Sequence, residues 1–77
     1  MEKICVLGAG TWGTTLANLI AEKGYKVSLW VRRDDLCQKI QKTRENPDYL
    51  PGIKLSENIQ PAISIEQAIL NKELVVC

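Results

Sequence analysis

Two short runs in this chain carry residue types suited to phosphate. One is Gly8-Ala9-Gly10-Thr11-Trp12-Gly13, and the other is Arg32-Arg33. In a G-x-G-x-x-G spacing, Gly8 makes a tight turn and Gly10 lets the backbone approach a pyrophosphate. Gly13 lets the following helix lie close to a strand. Glycine spacing alone is weak evidence, because glycines also serve ordinary turns. The setting decides the matter here. An apolar run, Ile4 to Leu7, precedes the glycines, and a helical apolar period follows at once. That order of strand, turn and helix is what a dinucleotide-binding fingerprint requires. The helix start then presents unpaired N–H groups and the positive end of its dipole to the phosphates.

Arg32 and Arg33 stand about 20 residues past the glycines, at the end of a second strand pattern, where dinucleotide folds read the adenosine ribose. Asp or Glu there accepts from the 2′-hydroxyl of NAD, whereas Arg meets the 2′-phosphate of NADP. A planar guanidinium matches phosphate oxygens and also stacks on a ring. The pair predicts NADP ahead of NAD by roughly ten- to a hundredfold, at about 1.4 kcal/mol per factor of ten. Asp34 and Asp35 follow directly. A carboxylate of either one reaching the ribose narrows that margin and admits both cofactors. The N–H groups of Thr11 and Trp12 face the pyrophosphate in this reading, and Thr11 adds a hydroxyl donor. Trp12 either packs against the fold or walls the pocket. The cofactor-binding set is therefore Gly8, Gly10, Thr11, Trp12, Gly13, Arg32 and Arg33.

No catalytic residue and no metal ligand emerge. The chain has no histidine, and its three cysteines, Cys5, Cys37 and Cys77, form no CxxC pair. Neither a zinc site nor a thiol activated by a neighbouring base is indicated, and the cysteines read as small hydrophobes. Seventy-seven residues make one domain at most, with a thin stability margin. Ten basic and nine acidic residues leave a net charge of +1, which gives no electrostatic footprint for nucleic acid or an anionic membrane. No apolar run reaches the roughly 20 residues of a membrane span. Met1-Glu2-Lys3 leads into a strand pattern rather than a signal-peptide core, so cytoplasm is the expected compartment.

The elements that must position these residues follow from periodicity. Lys3 to Leu7 is a strand in which Ile4 to Leu7 form a continuous apolar run, as in a parallel strand covered on both faces. A helix is expected from Trp12 to Lys23, with Trp12, Leu16, Leu19 and Ile20 as its core stripe, widened by Ala17 and Ala21. Gly24 ends it. Tyr25 to Val31 alternates as a second strand, which completes one right-handed βαβ unit. Asp34 and Asp35 open a second helix with Leu36, Cys37 and Ile40 as its apolar face. That helix fades at Thr43 to Glu45, since Asn46 precedes Pro47. Asn46 to Gln60 is a long connection of the kind that is functional or packed. A short third strand is expected at Ala62 to Ile65. The capping box Ser64-Ile65-Glu66-Gln67 starts a brief helix to Leu70 or Asn71, and Leu74 to Cys77 is a fourth strand. The fold class is α/β: a Rossmann-type half domain, with about four parallel strands and flanking helices, over residues 1–77.

Three stretches together resemble a known family: Gly8-Ala9-Gly10-Thr11-Trp12-Gly13-Thr14-Thr15-Leu16-Ala17, then Leu29-Trp30-Val31-Arg32-Arg33, then Asn46-x-x-Tyr49-Leu50-Pro51-Gly52 with Leu55, Asn58 and Ile59. The family is the bacterial type of NAD(P)-dependent glycerol-3-phosphate dehydrogenase. The resemblance covers the whole chain and is more specific than the glycines. It implies reversible hydride transfer between NAD(P)H and dihydroxyacetone phosphate, giving sn-glycerol 3-phosphate for phospholipid synthesis. It also implies cofactor contacts at Thr11, Trp12, Arg32 and Arg33, with Thr11 in place of a common serine. The family continues beyond this length into a substrate domain that carries the catalytic lysine, and Lys72 is no substitute for it. The chain is expected to be a cofactor-binding piece, inactive alone, with the Tyr49 to Gly52 loop structural. Alternatives are a stand-alone NADP-binding or sensing module, self-associating through the edge of its terminal strand, or part of another hydroxy-acid dehydrogenase. Fluorescence titration at low salt checks the arginine pair: NADPH should bind more tightly, and equal affinity for NADH would remove phosphate reading from Arg32 and Arg33.

Overall fold

Ile4, Cys5 and Val6 occupy consecutive positions of β1 (Lys3–Leu7) and are all buried. Only a strand flanked by neighbours and covered on both faces buries successive side chains. In the computed structural model, which describes residues 3–76, β1 is flanked on both sides. β2 (Lys26–Trp30) pairs with it in parallel, Val6 opposite Leu29, and β4 (Leu74–Val76) pairs on its other side, Val6 opposite Val76. β3 (Ile59–Ala62) adds outside β2, so the order is β3-β2-β1-β4. The chain runs outward through β2 and β3 and then returns to the far side of β1. Open α/β sheets bind ligands at the carboxyl ends of strands where the order reverses in this way.

α1 (Thr11–Glu22), α2 (Asp34–Thr43) and α3 (Ile65–Ile69) make the three crossovers. Right-handed connection puts α1 and α2 on one face of the sheet and α3 on the other, because the third crossover travels in the opposite direction. One buried cluster joins Ala17 and Ala21 of α1 with Leu36, Cys37 and Ile40 of α2. Val6, Val27, Leu29 and Ile59 supply its sheet side. Ala68 is the buried residue of α3. The expected alternation of Val27, Leu29 and Val31 is borne out, as is the apolar face of α2. Cys5 and Cys37 are buried, as small hydrophobes are; Met1, Glu2 and Cys77 lie outside the described residues.

Four expectations need correction. The stripe of α1 that meets the sheet is Thr14, Ala17, Asn18 and Ala21, not the bulky one. Trp12 is 86% exposed, Leu16 and Leu19 are exposed, and only Ile20 of that stripe packs partly on the core. The reason is closeness. A Cβ at Gly13 would collide with the carbonyl oxygen of Gly8, so α1 lies too near the strand end to seat large side chains beneath it. The helix also begins and ends one residue earlier than periodicity suggested. β3 begins at Ile59 rather than Ala62, and Pro61 sits inside it, opposite Leu29. Proline is tolerated on an edge strand whose N–H faces outward. The carbonyls of Asn58 and Ala62 accept from Val27 of β2 and from Val31 just past its end, so the intervening Pro61 nitrogen points to the open edge. α3 stops at Ile69, with the Ser64 hydroxyl capping Gln67 N–H at 3.3 Å as the capping box requires.

The contrast between two glycines tests this account. Nothing stands within 4 Å of a Cβ built at Gly10. Gly13→Ala should cost at least about 1–3 kcal/mol by forcing helix and turn apart, and Gly10→Ala less than about 1 kcal/mol. Urea denaturation of the two variants measures the difference, and equal losses would contradict it.

Candidate functional site

The glycine turn sits at the carboxyl end of β1. Gly8 takes φ +111°, a conformation open to glycine and strained for side-chain-bearing residues. Its N–H continues the ladder by donating to Trp30 O at 3.2 Å. α1 then starts at once, its first helical bond running from Thr14 N–H to Gly10 O at 2.9 Å. The leading N–H groups of any helix lack partners within it. α3 answers this with Ser64, and α2 carries Asp34 and Asp35 in its first turn. α1 has neither a side-chain cap nor an acid in its first turn. Its open N–H groups and dipole face outward at the point where the strand order reverses, an arrangement suited to an anion.

A cleft flanks the turn on each side. The first, of about 430 Å³, lies over the ends of β1 and β2 and is lined by Gly8, Gly10, Trp30, Arg32, Arg33 and Tyr49 among others. The second, of about 380 Å³, lies between α1 and β4 and is lined by Gly10, Thr11, Trp12, Gly13, Leu16 and Val76 among others. Every residue of the expected cofactor set lines one of the two, and Gly8 and Gly10 line both. Trp12 is therefore a wall of the second cleft rather than packing for the core. A third hollow, lined by Lys3, Lys26 and Lys72 among others, lies at the amino ends of the strands and includes none of the turn.

The two arginines are not equivalent. Arg32 has no hydrogen bond or ion pair among the described residues. Arg33 is held at both sides of its guanidinium. Nη2 and Nε donate to the Asp35 carboxylate at 2.8 and 3.2 Å, and Nη1 donates to Asp48 at 2.8 Å. The hydrogen bonds to Asp35 first, then to Asp48, raise the Arg33 pKa still further above its ordinary range. Arg33 in return holds Asp35 below the usual carboxylate range. Asp34 accepts from Gln38 at 3.3 Å. Neither Asp34 nor Asp35 lines the cleft.

Sequence reasoning missed the part played by the segment after α2. Asn46 was legible only as the residue that stops a helix before Pro47. Its side chain is fully buried, and Nδ2 donates to Ala9 O and to Thr14 Oγ1, both at 2.8 Å. One amide thus ties the middle of the glycine turn to the first turn of α1. Thr11 Oγ1 donates to Tyr49 O at 3.1 Å, so the hydroxyl expected to serve a phosphate holds the loop instead. The Tyr49 to Gly52 loop is tied to α1 by this bond, and Tyr49 also lines the first cleft. The available signal was a polar side chain within a loop long enough to be packed, because buried amides need partners.

A family model described as NAD-dependent glycerol-3-phosphate dehydrogenase N-terminus matches residues 3–77. A glycerol-3-phosphate dehydrogenase [NAD(P)+] of Bacillus licheniformis is 43% identical over 76 residues, 99% of this chain. That of Prosthecochloris aestuarii is 49% identical over 73 residues, 95% of the chain. The chain spans 22% of the length of each of these relatives. Among solved structures, the glycerol-3-phosphate dehydrogenase of Coxiella burnetii superposes with a TM-score of 0.88 at 33% identity, over 97% of this chain and 24% of that one. The enzyme from Saccharomyces cerevisiae gives 0.86 at 31%, over 96% and 25%. With a sheet order, a glycine turn and a chain-long match in agreement, this chain belongs to the family of the N-terminal region of NAD-dependent glycerol-3-phosphate dehydrogenases.

Proposed function

We propose that the chain is the nucleotide-binding portion of an NAD(P)-dependent glycerol-3-phosphate dehydrogenase, taking NADP or NAD and inactive by itself. The carrying observation is the pair of clefts on either side of an uncapped helix start. A dinucleotide is two nucleosides joined by a diphosphate, and this corner offers two hollows joined by an anion-binding turn. In this reading the N–H groups at the head of α1, including those of Thr11 and Trp12, hold the diphosphate. Gly10 leaves room for its approach. Arg32 meets the adenosine 2′-group in the first cleft, and Trp12, Leu16 and Val76 line the nicotinamide side. When bound, the nucleotide supplies the hydride that turns dihydroxyacetone phosphate into sn-glycerol 3-phosphate. The residues of this chain bind and orient it. No histidine exists to pass a proton to the substrate oxygen, and Lys72 lines the hollow at the opposite end of the strands. Both clefts are open to solvent, so water is not excluded from a reacting centre.

The compartment proposed is the cytoplasm; among the described residues no helix is long and apolar enough to cross a membrane. The outer edge of β4 offers unpaired backbone groups beside exposed Leu74 and Val75, which supports self-association by strand pairing. Sedimentation of the chain at rising concentration should show dimers that Val75→Lys removes.

Titration with NADPH and NADH tests the main reading. Both should bind saturably, and neither should be oxidised by dihydroxyacetone phosphate above background. Absence of binding, or turnover by the 77-residue chain, would overturn it. Asn46→Leu keeps the side chain's bulk and removes both donors. It should destabilise the fold by about 1–3 kcal/mol, the cost of orphaned buried acceptors, and weaken both nucleotides alike.

A further inference from the structure

We propose that Asp48, acting through Arg33, sets how strongly this site distinguishes a 2′-phosphate from a 2′-hydroxyl. The inference rests on the nucleotide reading above and adds a positioning residue to it. Arg33 lines the first cleft, whereas Asp48 does not and touches it only through the guanidinium. A guanidinium has five N–H donors. Asp35 and Asp48 engage three of them, and the two carboxylates offset its single charge. An arginine so occupied has little left for an incoming phosphate, and the phosphate must also approach two carboxylates of its own sign. A ribose hydroxyl meets no such repulsion. Arg32, with no partner among the described residues, remains to favour the phosphate. The two arginines therefore divide the work. Arg32 attracts the 2′-phosphate, and Arg33 is muted to the degree that Asp48 stays in place.

The placement of Asp48 is built into the fold. Asn46 is anchored under the glycine turn, Leu50 N–H donates to Asn46 O at 2.8 Å, and Tyr49 O accepts from Thr11. Asp48 lies between these fixed points, so its carboxylate is held toward Arg33 at the cleft rim. Asp35 comes from the first turn of α2 and reaches the guanidinium from the other side. Asp34, Arg32 and, from α2, Lys39 are further charged neighbours at that end of β2, Lys39 acting on Asp35. Asp34 is engaged with Gln38.

The native chain should prefer NADPH over NADH by less than about tenfold, roughly 1.4 kcal/mol, the low end of what two free arginines would give. Asp48→Asn keeps the side chain's size while removing its charge. It should tighten NADPH about tenfold and leave NADH within about twofold. Asp48→Glu should restore the native ratio. Asp35→Asn is the second variant and should move the ratio the same way. The gain should fade between about 0.01 M and 1 M salt, as the screening length falls from about 30 to about 3 Å. A native-like NADPH-to-NADH ratio in both Asn variants would overturn the proposal. So would equal shifts for the two nucleotides, which mark a loop that has merely loosened. A native chain that binds neither nucleotide overturns the nucleotide reading itself, and this inference falls with it.

Discussion

The contact between Gly13 and the carbonyl of Gly8 sets the geometry of everything around it. With no room for a Cβ at that point, α1 is drawn against the end of β1. Three consequences follow. The helix start lies directly over the carboxyl end of the central strand, so its free N–H groups open at the reversal of strand order. The residues beneath the helix must be small, hence Ala17 and Ala21 at full burial with Thr14 beside them. The bulky stripe is turned outward, which places Trp12 and Leu16 along the cleft beside Val76. One steric fact thus accounts for the placement of the uncapped helix start, for the composition of the buried helix face and for an exposed tryptophan.

A close turn of this kind needs support from below, and the segment from Arg44 to Asn58 provides it with polar bonds beside the buried Leu55. Asn46 holds Ala9 and Thr14. Asn18 on α1 accepts from Ser56 N–H at 2.8 Å, and Asn58 donates to the last turn of α1 at Ala21 O. Arg44, in the left-handed conformation at the end of α2, donates to Ser56 O and Ile59 O. Loops that carry function work when a rigid scaffold positions them. Here the relation also runs the other way, because the loop braces the turn at both ends of α1. Buried polar networks tolerate little change, since an orphaned partner loses its full solvation.

Much of this architecture could be read from the residues. Apolar β1, the alternation of Val27, Leu29 and Val31, and the Ser64 capping box each obey a local rule that the fold leaves intact. The errors arose where two rules competed. In α1 the hydrophobic period pointed to Trp12, Leu16 and Leu19, but close approach outranks side-chain size once Gly13 fixes the separation. The third strand was expected from Ala62, just past Pro61, whereas the observed β3 holds that proline on an edge with its nitrogen facing away from β2. The glycines and arginines of the site were legible because spacing along the chain carries them. Asn46 and Asp48 were not, since their roles depend on where a connection without regular structure comes to rest. Their partners, Ala9, Thr14 and Arg33, lie 37, 32 and 15 residues away along the chain.

The two clefts differ in the side chains that line them, and that difference bears on the proposed function. On the β2 side, Trp30 donates from its indole N–H to Ile63 O at 2.9 Å, and Leu36 and Tyr49 close in from α2 and the loop. That hollow has a floor, walls and a charged rim. On the β4 side the lining is the glycine turn with Trp12, Leu16 and Val76, and among the described residues it includes no charged side chain. In the proposed reading, recognition by this chain resides chiefly in the adenosine and diphosphate half of a ligand, where the arginines and the uncapped helix start lie. In that reading the other half meets an apolar ledge that orients without enclosing it. Hydride transfer needs that enclosure, because water competes for every charge that develops. A charged side next to an uncharged ledge, both open to solvent, is what underlies the proposal of binding without turnover.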